Sequence, residues 1–123
     1  MKRIIALFAF ILVATFANAQ AAQTTPATPA ERAHTQALRF QKQLGLTEDQ
    51  LTKVEAIMLA KINAIDAVNA DANKTKEQKD TEIAQIRNDK EKEVLQVLTP
   101  DQVTKYNEMK KQRQDRKNNP PQE

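Results

Sequence analysis

Apolar residues recur at three- and four-residue intervals through four stretches of the chain, and each stretch opens on the same kind of polar signal. In the first, Thr28-Pro29-Ala30-Glu31 has the spacing of a capping box, with proline at the first helical position, where its missing N–H costs nothing. Ala33, Ala37, Phe40 and Leu44 follow on one face, and Gly45, the single glycine, falls where a left-handed terminator belongs. A second helix starts at Thr47 and is carried by Leu51, Val54, Ile57, Met58, Ile62, Ile65 and Val68 before fading at Asp71-Ala72-Asn73-Lys74. Thr75-Lys76-Glu77-Gln78 opens a third, with the stripe Ile83, Ile86, Val94 and Val97. Thr99 opens a fourth, with Val103, Tyr106 and Met109 on its stripe, ending at Asn118-Asn119-Pro120-Pro121. The pattern predicts an all-α protein of four helices.

Two of these starts are near copies. Leu46-Thr47-Glu48-Asp49-Gln50-Leu51-Thr52-Lys53 returns 52 residues later as Leu98-Thr99-Pro100-Asp101-Gln102-Val103-Thr104-Lys105, with six of the eight positions identical. In each copy the threonine is the N-cap and the glutamine, three residues on, completes the box. Leu46 with Leu51, and Leu98 with Val103, have the spacing of a hydrophobic staple. Capping and stapling account for Leu46, Thr47, Gln50, Leu98, Thr99 and Gln102, so these residues are read as shaping two corners.

The connectors set the expected arrangement. Helices two and three, each of more than twenty residues, run roughly 35 Å at 1.5 Å per residue. The short link between them favours an antiparallel central hairpin, which brings both corners to one end. The shorter helices one and four then fold back from those corners, giving an elongated, open cradle. Beyond residue 19 the only aromatics are Phe40 and Tyr106, and the chain has no cysteine, so the core is thin and has no disulfide to reinforce it. A homodimer is the remaining common remedy. Ala56, Ala60, Ala64 and Ala67 lie opposite the large apolar stripe of helix two, either as a second contact face or because alanine is the best helix former.

The N-terminus changes the compartment. Lys2 and Arg3, a largely apolar run from Ile4 to Ala17, and Ala17-Asn18-Ala19 form the three parts of a secretory signal, with cleavage expected between Ala19 and Gln20. The run is shorter than the roughly 20 residues of a membrane span. The expected organisation is a signal peptide at 1–19, a flexible leader at 20–27, a helical domain at 28–117 and a disordered tail at 118–123, with no stable membrane anchor after processing. Losing Lys2 and Arg3 lowers the net charge from +3 to about +1, which argues against nucleic acid as a partner.

No glycine-rich phosphate loop and no cysteine nucleophile is present, and His34 is the single histidine, so neither an enzyme nor a metal or cofactor site is expected. Carboxylates alternate with lysines, as in Asp89-Lys90-Glu91-Lys92-Glu93, in the manner of a solvated face. The basic run Lys110, Lys111, Arg113, Arg116 and Lys117 suits the C-terminal end of a helix dipole.

Paired Leu-Thr-x-x-Gln motifs behind an export signal, in a cysteine-free helical chain, resemble the Spy/CpxP family of periplasmic proteins. The residues that match are Leu44-Gly45-Leu46-Thr47-Glu48-Asp49-Gln50 and Val97-Leu98-Thr99-Pro100-Asp101-Gln102, within a likeness covering about residues 31 to 115. The resemblance implies a curved helical dimer in the periplasm that acts as an ATP-independent chaperone for unfolded or nascent envelope proteins. It leaves open a second role, as regulatory partner of an envelope-stress sensor or another single envelope protein. Some relatives bind zinc, a branch this chain lacks the ligands for. Phe40, Met58, Ile62, Ile65, Ile83, Ile86 and Lys90 are the candidates for a client or dimer surface, with the Lys90 stem expected to cover apolar neighbours while its ammonium reaches water.

Overall fold

A computed structural model of the protein describes residues 25–120. Among them are four helices and no strand: α1 (Pro29–Leu44), α2 (Glu48–Ala70), α3 (Lys76–Val97) and α4 (Pro100–Asn118). The signal segment at 1–19, most of the expected leader and the last three residues lie outside the described residues.

Every helix begins on a complete capping box, at Thr28, Thr47, Thr75 and Thr99. In the first, the Glu31 carboxylate accepts from the Thr28 N–H at 2.8 Å, and the Glu31 N–H donates to the Thr28 hydroxyl at 3.2 Å. That accepted bond holds the Glu31 carboxyl below its usual range, because it favours the charged form. Gly45 ends α1 with φ of 69°, and the N–H groups of Gly45 and Leu46 both return to the Gln41 carbonyl. Only glycine takes that backbone conformation without strain.

α2 packs against both α1 and α3, and α1 also touches α4. Small side chains let α1 approach closely, since Ala33 and Ala37 are wholly buried against α2. Around them lie Leu44, Leu46, Val54, Met58, Ile62, Val94 and Leu98, a core in which α3 is represented by Val94 and by Leu98 just past its end. Cross-links flank this core. Arg32 is paired with Asp66, Lys61 donates to Gln36 at 3.2 Å, and Gln41 donates to Glu48 at 3.1 Å, so residue numbers rise along α1 as they fall along α2. Between α2 and α3, Lys79 donates to the Asn69 carbonyl at 2.9 Å near the turn. Of the alanines opposite the apolar stripe of α2, Ala56, Ala60 and Ala67 are exposed and Ala64 is half-buried.

Candidate functional site

Two polar assemblies are built on this frame. The first joins the repeated corners. In each, the threonine N–H donates to the glutamine Oε1 (3.0 Å at both Thr47 and Thr99), and the glutamine N–H donates back to the hydroxyl. The amide protons of the two glutamines then cross between corners. Gln50 Nε2 donates to Gln102 Oε1 at 2.7 Å and to the Val97 carbonyl at 3.0 Å. Gln102 Nε2 donates to Gln50 Oε1 at 3.1 Å and to the Gly45 carbonyl at 3.2 Å. Gly45 and Val97 stand two residues before their respective N-caps, so the exchange is reciprocal. Both amides are fully satisfied, and two carbonyls at helix ends, which have no partner within their own helices, gain one. Capping and stapling therefore do not exhaust these residues. The glutamines also hold the corners together, and Gln102 is the one buried polar residue of the described chain.

The second assembly is a groove of about 530 Å³ to which all four helices contribute. Phe40 of α1, Met58 of α2, Val94 of α3 and Tyr106 of α4 supply its apolar lining. Phe40 and Tyr106 stack with ring centroids 5.9 Å apart and planes inclined by 30°, within the range where offset aromatic pairs attract. Around this lining stand Arg39, Lys61, Arg87, Lys90 and Arg113, with Glu91 as the lone carboxylate. Glu91 is engaged by Lys110 at 2.6 Å, and Lys90 by Glu93 at 2.9 Å. Arg39, Lys61, Arg87 and Arg113 form no ion pair among the described residues.

Lys61 is the most telling of these. Its half-buried ammonium donates to the Gln36 amide oxygen at 3.2 Å and lies 3.3 Å from the Met58 sulfur. Burial pushes its pKa down, and the nearby Arg87 guanidinium pushes it further. A cation held in this way, without a counter-charge, is expensive to bury. Burial raises the Tyr106 hydroxyl pKa, with the Glu91 charge adding to it. By contrast, in the polar cleft at the α2–α3 turn the one cation is matched by carboxylates. Lys74 there pairs with Glu82 and with Asp71 at 3.9 Å, which raises the Lys74 pKa.

Of the residues expected at a client or dimer surface, Phe40, Met58 and Lys90 come together in the groove. The Lys90 side chain is 25% exposed and its ammonium meets Glu93. Ile62 is buried at 5% exposure, one helical turn beyond Met58, and serves packing rather than an open surface. Ile65, Ile83 and Ile86 are half-buried and do not line the groove. Sequence reasoning missed Arg39, Lys61 and Arg87, and placed Arg113 only in the basic run at the end of the fourth helix. Each sits on a different helix in a mixed-charge surface pattern, and no spacing within one segment marks the four as neighbours.

The fold and groove define an all-helical protein that presents an apolar lining ringed by positive charge. The chain belongs to the family described as a domain of unknown function, DUF4890, whose model matches residues 17–106. No curated protein and no solved structure matches it. Among the described residues, no helix is long and apolar enough to cross a membrane, and no cluster of histidine, cysteine, aspartate and glutamate is arranged to hold a metal ion.

Proposed function

We propose that this protein is an ATP-independent holdase of the periplasm, related to the Spy/CpxP proteins through its paired Leu-Thr-x-x-Gln corners, which binds unfolded or nascent envelope proteins without acting as an enzyme. The observation that carries the reading is the groove, in which Phe40, Met58, Val94 and Tyr106 lie within a ring of cations. Such a surface offers weak apolar contact to many chains, while charge draws acidic segments in from a distance. Periplasmic location rests on the export signal ending at Ala19. In this reading α2 and α3 form the long antiparallel hairpin of an open cradle, α1 and α4 fold back from the corners, and a second copy completes a dimer.

The test is an aggregation assay without nucleotide, using protein recovered from a periplasmic extract and two chemically unrelated unfolding clients. Protection of both at near-stoichiometric amounts, by a species whose mass starts at Gln20, is the expected result. Protection of neither at severalfold excess refutes a general holdase and leaves a dedicated partner of one envelope sensor or envelope protein. Sedimentation of the same sample reads the dimer directly.

A further inference from the structure

The groove has properties that client holding does not require. General contact with unfolded chains is served by an open apolar face, yet here four cations without carboxylate partners line the same groove as an aromatic pair. The volume of about 530 Å³ falls within the roughly 300–1,000 Å³ typical of small-molecule pockets. Lys61 and Arg87 stand close enough to repel one another, so an anionic group between them removes a repulsion and supplies a counter-charge in one step. An apolar tail attached to that group has Phe40, Met58 and Tyr106 to lie against. An anion without a tail leaves this lining in water, and a tail without an anion leaves the cations unmatched.

We propose that the groove is a binding site for a small single-chain amphiphilic carboxylate, with the head group held by Lys61 and Arg87 and the apolar chain laid along the stacked Phe40–Tyr106 pair. Guanidinium and ammonium donors to a carboxylate form charge-assisted hydrogen bonds, about twice as strong as neutral ones. The site is a property of the groove and stands whether or not the protein protects unfolded clients.

Tyr106 makes the test direct. It is the only tyrosine and the chain has no tryptophan, so intrinsic fluorescence reports from within the groove. The purified protein is titrated with decanoate below its micelle concentration, and in parallel with decanol, acetate and vesicles of anionic phospholipid. Saturable change with decanoate at one site per chain, much weaker change with decanol or acetate, and weakening of the decanoate response by added salt are expected. Equal response to decanol, no saturable response to decanoate, or response to vesicles alone overturns the proposal, the last in favour of a membrane surface. Lys61→Met and Arg87→Gln should each weaken decanoate by roughly tenfold, while Lys92→Met, which removes an exposed charge outside the groove, leaves affinity unchanged. Circular dichroism confirms that each variant is folded. Should Lys92→Met weaken binding as much as the groove variants, the interaction is with net charge and the assigned site is wrong. Client protection is measured separately, so loss of either activity is seen without the other.

Discussion

Gln50 and Gln102, 52 residues apart, exchange side-chain amide hydrogen bonds of 2.7 and 3.1 Å while each completes the capping box of its own helix. One residue type thereby meets a local need, the start of α2 or α4, and a long-range one, the joining of the two starts. A leucine or alanine in either place would satisfy neither. The two amides work as a unit, and their energetics should reveal it.

Gln50→Ala and Gln102→Ala are each expected to cost about 1–3 kcal/mol in urea denaturation, because each strands buried or half-buried partners. The double variant should cost less than the sum, by roughly 0.5 kcal/mol or more, since the second change removes partners already lost. Strict additivity would show that the crossed bonds contribute nothing beyond capping.

Thr47→Ala and Thr99→Ala remove the cap hydroxyl together with one methyl group, and each should lower stability by about 1 kcal/mol. Their effect on client protection should do no more than follow that loss. Full thermal stability combined with lost protection would instead place these threonines in contact with clients.

Gly45→Ala meets open space, since nothing lies within 4 Å of an added Cβ. The cost is therefore one of backbone conformation alone, roughly 1–2 kcal/mol for an L-residue held at positive φ. Gly45→Asn should recover much of it, because asparagine tolerates this region better. A melting series of the three proteins decides, and equal loss for Ala and Asn would place the cost elsewhere.

Lys61 predicts a pH dependence of definite sign. Its folded pKa is depressed by burial and by Arg87, so the penalty for its charge applies in full below that folded value. The penalty is relieved as pH rises toward the ordinary lysine value, and the native state gains stability across that window. Lys74 and Lys76, raised by Glu82 and Asp80, act in the opposite sense and lose stability as pH passes their folded values. Subtracting the pH profile of Lys61→Met from that of the parent protein isolates the first effect. The difference should favour the variant at neutral pH and shrink on the alkaline side.

Local chemistry made most of the fold legible. Each helix start is written in four adjacent residues, Thr28 to Glu31 being one instance, and α1 ends on the only glycine, so boundaries required no knowledge of neighbours. The stripe through Val54, Met58 and Ile62 likewise marked the buried face of α2. What escaped notice depends on which helices meet. Gln50 carries the same local signature whether or not Gln102 lies opposite, because the box spacing is complete without it. The cationic groove was hidden for a similar reason. The chain is near neutral beyond its first residues, and Arg39, Arg87 and Arg113 line one groove only when α1, α3 and α4 are assembled.

The crossed amides also make the chain a ruler. α2 and α3, of 23 and 22 residues, make up most of the chain between the two joined corners, so their combined path must close on the same pair of side chains. One residue inserted in either helix turns everything beyond it by about 100° and carries one glutamine away from the other. Changes of length in α2 should therefore survive in descendants of this sequence only when α3 changes with it. The exposed end of α4 beyond Arg113, for which no bond to another helix is found among the described residues, is free to lengthen or shorten alone.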